Sequence, residues 1–421
     1  MLKKDGELLL EEFAMEAYPK DIIKVSEGIY HVIGYGHSNS IVIEGKSSLI
    51  LVDTLDSSYR AKIMKEDIEK ITKKPVKTII YTHGHPDHRG GAGAFKDTVE
   101  EIIAFAPKRA VLKYMDKISD VLNRRTARQF GYELTDEEVI TQGIGIREGH
   151  AINEGKYDFL QPTTIYNEDV VERVIDGVSL KLVSAVGETD DQLFVWLEDS
   201  KVLCCGDNYY GCFPNLYAIR GGQYRDIATW VDSLKNILSY PAEALLPGHT
   251  KPIFGYKNIQ DILGNFTGAI EYILLQTLDC MNKGMSEDEV VAKVNLPEEY
   301  KGKPYLGEFY GTVDWAIRSI YGGYIGWFDG NPTNLNPLST NVYSRKMVEF
   351  IGGEEKIINE IKNSLNKEEY QWAIQLCDLV IDKNSEAKRL KAEGLMGLSK
   401  LITSANGRHY YIACAKELMW F

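Results

Sequence analysis

Three histidines and one aspartate stand together in a single stretch with the spacing His-x-His-x-Asp-His: His83, His85, Asp87 and His88. The stretch directly follows an apolar run, residues 78–81, which reads as a short buried strand. Residues two apart at a strand end point the same way, and Pro86 then forces a turn that brings Asp87 round. Nitrogen and oxygen ligands grouped in this way suit two adjacent zinc-like ions, with a position left open for water.

A polar loop whose histidines cap a helix is the simpler interpretation, and it suits a lone histidine. It does not account for three histidines and an aspartate placed directly after a strand. Gly90 and Gly91 follow, and they would let another stretch of backbone pass close to the group. The pattern resembles the metal-binding signature of the metallo-β-lactamase fold superfamily, to which it is specific.

The hydrophobic pattern around this stretch predicts the elements that position it. Short strands are predicted over residues 28–33, 40–44 and 48–53, and a helix over residues 57–73. Strands, then a helix, then the strand before His83 suit an α/β sandwich with helices outside two sheets. Asp53, at the end of its strand, resembles the aspartate that supports the metal loop in this superfamily.

Later strand ends supply the remaining predicted ligands. Glu188 stands in Gly-Glu-Thr where most of the superfamily has Gly-His-Thr, so it is predicted to hold the first metal, as a carboxylate can. His150, in a glycine-rich polar stretch, is the alternative for that ligand. Asp207, after the strand-like run 201–205, resembles the carboxylate that bridges both metals. His249, at the end of another predicted strand, suits the last ligand of the second metal.

Three further segments resemble one branch of the superfamily, the alkyl sulfatases: residues 124–131, 215–226 and 308–332. In that branch two histidines and a glutamate hold the first metal, as His83, His85 and Glu188 would do here. The bridging residue of the branch is usually glutamate followed by asparagine, whereas this chain has Asp207 followed by Asn208. The resemblance covers nearly the whole chain.

The resemblance implies a dinuclear hydrolase, with two zinc ions per chain, that cleaves alkyl sulfate monoesters to alcohol and inorganic sulfate through a metal-bound hydroxide. Asp87, Arg220 and Tyr321 are the predicted catalytic residues. The planar fork of Arg220 matches a pair of sulfate oxygens, and the branch implies that Tyr321 contacts the sulfate. The alternatives are a structural ion pair for Arg220 and a core position for Tyr321.

Two other classes of function stay open. One is hydrolysis on the same fold of a different substrate, such as a lactone, thioester or phosphoester. The other is a metal-dependent scaffold or a redox subunit of the flavodiiron type. Redox members of the superfamily also carry a carboxylate at the position of Glu188, but no flavodoxin-like domain follows in this chain.

From about residue 258 the pattern changes to amphipathic helices. The chain is therefore predicted to divide into a catalytic domain, residues 1–257, and a mainly α-helical dimerisation domain, residues 258–421. One of the predicted helices spans residues 347–365. The resemblance implies a homodimer formed through this part. Larger members of the branch end with a sterol-carrier-like domain that takes up long alkyl chains, and this chain is expected to lack it.

Composition excludes several classes of partner. The 421 residues are 44% hydrophobic, enough for a full core and more than one domain, and the net charge is −13. The lack of a Lys/Arg-rich block argues against nucleic acid, and the lack of a long apolar run argues against a membrane span or a signal peptide. The six cysteines are interpreted as reduced thiols, which predicts a cytoplasmic protein. The resemblance to the alkyl sulfatases implies that its partner is a small-molecule sulfate ester.

Overall fold

The structure is a computed structural model that describes residues 6–110 and 112–419. Two β-sheets form its centre. The first has its strands in chain order: β1 (Asp21–Ser26), β2 (Ile29–Ile33), β3 (Ser40–Glu44), β4 (Leu49–Val52), β5 (Val76–Ile80), β6 (Glu101–Phe105) and β7 (Thr164–Tyr166). The second also follows chain order: β8 (Val170–Ile175), β9 (Val178–Ser184), β10 (Leu193–Leu197), β11 (Val202–Gly206), β12 (Ala244–Pro247) and β13 (Ile253–Phe254).

Helices cover the sheets and make up most of the C-terminal part. Before β12 along the chain they are α1 (Gly6–Ala17), α2 (Ser58–Ile68), α3 (Pro86–Arg89), α4 (Ser119–Phe130), α5 (Asp136–Val139) and α6 (Ile227–Leu238). After β13 the chain contains α7 (Tyr256–Asn282), α8 (Glu287–Lys293), α9 (Val313–Ile325), α10 (Thr340–Ile351), α11 (Glu354–Asn366), α12 (Tyr370–Cys377), α13 (Ser385–Leu401) and α14 (Ala405–Met419).

Alternation along the strands divides the core into layers. On β4, Ile50 and Val52 face the second sheet and pack with Val195 of β10. Leu51, on the opposite face, packs beneath Met64 of α2. The outer face of the second sheet is covered in the same way by α6 and α7. The layers are therefore helix, sheet, sheet and helix.

Parallel pairing gathers strand ends at one edge of each sheet. β4 and β5 are parallel neighbours in the first sheet, and β11 and β12 are parallel neighbours in the second. Parallel strands end on the same side, so the loops after β4 and β5 meet, as do the loops after β11 and β12. These four loops begin at or just after Asp53, Tyr81, Asp207 and Gly248.

The C-terminal helices form two groups. α7 and α9 share a core with α6 and the second sheet, whereas α10 to α13 enclose a separate core around Ile361 and Cys377. The prediction of one continuous helix over residues 347–365 was wrong, because Gly352 and Gly353 separate α10 from α11. Their φ angles of +100° and +110° are open to glycine but not to a continuing helix. The predicted boundary at residue 257 stays a prediction.

His409 joins the last helix to the central part of the molecule. It is fully buried on α14, and its two ring nitrogens each lie 3.0 Å from a carbonyl oxygen, those of Gln129 and Val139. Gln129 belongs to α4, so α14 holds the end of that helix in place. His409 therefore has the structural position that a buried histidine most often has.

The helices and the cysteines bear on the questions of membrane spans and disulfide bonds. None of the helices in the described ranges is both long and apolar enough to cross a membrane. All six cysteines, each of them in a described part of the chain, are free thiols. The cytoplasmic location stays a prediction.

We expect His409→Ala to lower the free energy of unfolding by roughly 2–3 kcal/mol, because it opens a cavity in the core and removes the ring's contacts with the backbone of Gln129 and Val139. Urea denaturation followed by circular dichroism measures the loss. Lys400→Ala, on the exposed side of α13, is the control and should change stability by less than about 0.5 kcal/mol. Equal stabilities of the two variants would contradict the role of His409.

Candidate metal centre

The stretch that opened the sequence analysis leaves the first sheet as the spacing predicts. β5 ends at Ile80, and Pro86 begins the one-turn helix α3, which carries Asp87 and His88. Gly91 lies directly against the chain after β4, since a Cβ there would collide with the carbonyl oxygen of Thr54. The glycine lets the loops after β4 and β5 come into contact, as expected.

Asp53 fixes these two loops to each other. One of its carboxylate oxygens accepts a hydrogen bond from the backbone N–H of Thr82 at 2.8 Å. The other accepts from the Thr82 hydroxyl at 2.7 Å and lies 2.7 Å from Nδ1 of His88. Asp53 thus has the position of an aspartate that supports the metal loop and orients one of its histidines.

Three histidines direct the same ring nitrogen toward a common centre. Nδ1 of each is engaged by a neighbour: that of His88 by Asp53, that of His83 by the Thr82 hydroxyl at 3.0 Å, and that of His249 by the carbonyl oxygen of His37 at 2.9 Å. Bonding of Nδ1–H fixes the tautomer in which Nε2 carries a free lone pair. The three Nε2 atoms are therefore available to ligate a cation.

Asp207, just after β11, lies at the centre of this group. Its Oδ2 is 3.6 Å from Nε2 of His83, 3.4 Å from Nε2 of His88 and 3.2 Å from Nε2 of His249. Although burial alone raises the pKa of Asp207, His88 and His249 hold it well below the usual range of an aspartate. The carboxylate is therefore ionised where a bridging ligand would be needed.

The remaining predicted ligands lie on opposite sides of Asp207. On one side Nδ1 of His85 is 3.0 Å from Nε2 of His83 and 3.3 Å from Oε2 of Glu188. On the other side Oδ2 of Asp87 is 3.3 Å from Nε2 of His88 and 3.4 Å from Nε2 of His249. The structure thus brings all seven predicted metal ligands together around Asp207, and their division between two metal ions stays a prediction.

The chemistry of these atoms fits metal ions. Nε2 of His88, Nε2 of His249 and Oδ1 of Asp207 are buried, and none has a hydrogen-bond partner among the described residues. Buried polar atoms are rarely left unsatisfied, and a cation between them would satisfy all three. Gly248 keeps the space open, because a Cβ there would collide with Asp207.

Glu188 is held by two residues that sequence reasoning missed. The hydroxyl of Tyr210 donates to Oε1 of Glu188 at 2.7 Å, and Arg225 lies 3.0 Å from the same oxygen. Burial raises the pKa of Glu188, while Arg225 and Tyr210 act to lower it. Because both partners bind Oε1, Oε2 is left to face His85 and a metal. The sequence signal for Arg225 was its place in the 215–226 segment, beside the more conspicuous Arg220.

A cavity of about 450 Å³ opens onto this centre. Arg220 lines it, and its guanidinium has only the carbonyl oxygen of Gly221 as an acceptor within the described residues, at 3.5 Å. Gln129 lines it too, and its buried Nε2 has no acceptor among those residues. A second cavity of about 250 Å³ meets the first at four shared residues: His85, Glu188, Arg220 and Arg225. The site therefore has unpaired donors beside the metal ligands.

Tyr321 and His150 lie outside the cluster of predicted metal ligands. Tyr321 is buried on α9 in the core beneath the second sheet, and its hydroxyl donates to the carbonyl oxygen of Met285 at 3.1 Å. It lines neither of the two cavities described above, because the face of α9 that carries it packs into the core. His150 lines the main cavity but belongs to none of the metal-capable groups found in the described residues.

His37 also lies at the centre, although the sequence analysis did not select it. It is buried, its Nδ1 is 3.0 Å from the carbonyl oxygen of Ile146, and it forms a metal-capable group with Asp87 and His249. Nothing in its local sequence indicates this, since it comes from the loop between β2 and β3. Only the packing of that loop against the end of β12 brings it there.

Comparisons with known proteins agree with this geometry. A family model described as the metallo-beta-lactamase superfamily matches residues 33–249, and one described as alkyl sulfatase dimerisation matches residues 286–420. A linear primary-alkylsulfatase from Pseudomonas sp. (strain ATCC 19151) is 32% identical over 90% of this chain and 73% of its own length. An alkyl/aryl-sulfatase from Saccharomyces cerevisiae is 29% identical over 94% of this chain and 64% of its own length.

A solved structure shares the architecture over nearly the whole chain. The stereoselective inverting sec-alkylsulfatase Pisa1 from Pseudomonas sp. superposes with a TM-score of 0.86 at 25% identity, over 98% of this chain and 67% of that one. The chain therefore belongs to the metallo-β-lactamase superfamily and, within it, to the alkyl sulfatase branch. The predicted family, the predicted fold class and the predicted enzyme class, a hydrolase of the alkylsulfatase type, are confirmed.

We expect zinc-loaded protein to hold two ions per chain and Glu188→Ala to hold about one, because the variant removes a carboxylate from one of the two ligand groups. His150→Ala is the matched control and should keep both ions. Elemental analysis after gel filtration measures the stoichiometry. Loss of an ion from the His150 variant alone would transfer the ligand role to His150.

Proposed function

We propose that this chain hydrolyses organic sulfate monoesters to an alcohol and inorganic sulfate at a site that holds two zinc ions. The observation that carries the proposal is the position of Arg220, a cation without a carboxylate partner in the described residues, in the cavity that opens on the ligand groups. The names of the similar proteins, alkylsulfatases from Pseudomonas and yeast, support the same reaction.

The ligand set favours zinc. His83, His85 and Glu188 would hold one ion, and Asp87, His88 and His249 the other, with Asp207 between them. Imidazole nitrogens and carboxylate oxygens are ordinary zinc ligands. When bound, two such ions lower the pKa of a water molecule and polarise the ester. Within the chain, Asp53 and Thr82 keep the histidines in the tautomer that this requires.

Binding of the sulfate head would fall to the unpaired donors. The guanidinium of Arg220 presents a planar fork to two sulfate oxygens, and Nε2 of the Gln129 amide supplies a further donor. Gln129 also fixes the arginine, because its Oε1 accepts the backbone N–H of Arg220 at 2.8 Å. Arg225 is occupied by Glu188 and would act through that ligand rather than on the substrate.

We expect sulfate release when zinc-loaded protein meets alkyl sulfates of graded chain length. Arg220→Ala should lower kcat/KM by about 10²-fold, the order expected on losing one charged contact that stabilises the transition state. Both metals should stay in place. Ion chromatography of released sulfate measures the rate, and Arg124→Ala, an exposed arginine on α4, is the control.

Two outcomes would contradict this reading of the site. No sulfate release from the whole panel, together with turnover of a lactone or thioester, would move the chain to another hydrolysis on the same fold. An Arg220→Ala rate equal to that of the control would remove the arginine from sulfate binding.

We further propose a homodimer formed through the helical part, residues 258–421. Residues 322–350, which we call the exposed arm, carry large apolar side chains at the surface, among them Trp327 at 79% exposure and Phe350 at 85%. Apolar surface of this extent on one segment is characteristic of a protein interface. The arm lies inside the region matched by the dimerisation family model, which favours a second copy of the chain as its partner.

Phe350→Asp combined with Trp327→Ala should convert the dimer to a monomer, because the variant places a charge in a surface that association would remove from water. Multi-angle light scattering at micromolar concentration measures the mass. Tyr59→Asp, at an exposed aromatic of α2, is the control and should leave the mass unchanged. A wild-type protein that is already monomeric would contradict the proposal.

A further inference from the structure

One wall of the main cavity is built around a buried acid that the proposed reaction does not use. Glu148 has a side chain that is only 5% exposed, and it lines the cavity together with Tyr132, His150 and Tyr157. Its Oε2 accepts the hydroxyl of Tyr132 at 2.6 Å and that of Tyr157 at 2.9 Å. We call these four residues the Glu148 group.

The Glu148 group lines the same cavity as Arg220 and Arg225. The two arginines also line the second cavity, beside Glu188, and no member of the group does so. A substrate whose sulfate rests on Arg220 would therefore have the Glu148 group in the same cavity, available to its alcohol part.

The described residues provide Glu148 with no cationic partner from the arginines around it. Arg60 is bound to Asp56 at 3.2 Å and to Glu154 at 2.9 Å. Arg147 is bound to Asp136 at 2.6 Å and to the carbonyl oxygen of Leu134 at 2.6 Å. A buried carboxyl without a counter-charge is unfavourable when ionised, and burial raises the pKa of Glu148 to about 8.

The remaining candidate partner inside the group is His150, whose Nδ1 lies 3.4 Å from Oε2 of Glu148. Burial lowers the pKa of His150, so the ring is neutral at neutral pH, and its buried Nδ1 has no hydrogen-bond partner in the described chain. The group thus combines a carboxyl that no neighbouring cation holds in its ionised form with an unused ring nitrogen.

Aromatic rings surround the same place. Tyr132 stacks on Phe130 with a centroid distance of 5.8 Å, and His150 lies 4.4 Å from Tyr132 and 4.7 Å from Tyr157. Ring faces attract cations, and a carboxyl beside them adds a hydrogen-bond acceptor. An ammonium group can use both the ring faces and the acceptor, whereas an alkyl end can only pack against the rings.

We propose that the Glu148 group selects sulfate esters of amino alcohols, whose ammonium group would supply the counter-charge that Glu148 lacks. The proposal rests on the proposed sulfatase function and specifies its substrate class. The sulfate end would bind at Arg220 and the ammonium end at Glu148, so both ends of the molecule would be recognised by opposite charge.

The test measures hydrolysis of three esters by zinc-loaded wild-type protein: propyl sulfate, 3-hydroxypropyl sulfate and 3-aminopropyl sulfate. We expect kcat/KM for the amino ester to exceed that for propyl sulfate by about tenfold or more, the usual size of a hydrogen bond to a charged group. Equal values, or a preference for the propyl or the hydroxyl ester, would overturn the proposal.

Glu148→Gln keeps the shape and an acceptor for the tyrosines but cannot carry a charge, so the preference for the amino ester should largely disappear. Glu133→Gln, the same change at an exposed glutamate of the α4–α5 connection, should retain it. An undiminished preference in Glu148→Gln would also overturn the proposal. If that variant does not fold, the wild-type ranking of the three esters decides alone.

Binding of the free alcohols separates this proposal from the sulfatase function. If none of the esters releases sulfate, the proposed function fails, and calorimetry with aminopropanol and propanol then tests the Glu148 group by itself. Tighter binding of aminopropanol to wild-type protein than to Glu148→Gln would support the group as an ammonium site. Equal binding would refute it.

Discussion

The concentration of buried negative charge at one place is the constraint on which the rest of the structure depends. Asp53, Asp87, Glu188 and Asp207 are all almost fully buried, and among the described residues only Arg225 brings a permanent positive charge into contact with any of them. Histidines that keep a free Nε2 lone pair for a metal ion are neutral and add no positive charge. A site of this kind is stable when cations are bound in it, so metal binding and folding of these loops are linked.

Both sheets position the predicted metal ligands in the same way. Each contributes a parallel pair of strands, and the loops after those strands carry six of the seven predicted ligands, so these meet where the two sheet edges face each other. Glu188 comes instead from the loop after β9. The close contacts at Gly91 and Gly248 let the loops approach without side chains between them. Strand ends rather than mobile loops therefore set the distances within the site.

Residues that form a local pattern were predictable from the sequence, and residues that act through tertiary contacts were not. The His-x-His-x-Asp-His stretch, Asp207 and His249 each follow a strand, so periodicity and residue type, together with the resemblance to the superfamily, were enough to select them. Arg225 and His37 reach the site only through the packing of loops. Tyr321 illustrates the converse, because its place in a family segment did not reveal which face of α9 packs into the core.

The C-terminal helices support one wall of the main cavity through a continuous set of hydrogen bonds. His409 of α14 binds the backbone of Gln129, and the side chain of Gln129 binds the backbone of Arg220. The last helix therefore supports the wall that carries Arg220, although it contributes no residue to the lining of the main cavity. This arrangement gives a physical reason for the sandwich and the C-terminal helices to remain together in one chain. Loss of the helices would remove the support of Arg220 as well as the surface through which we propose that the chain dimerises.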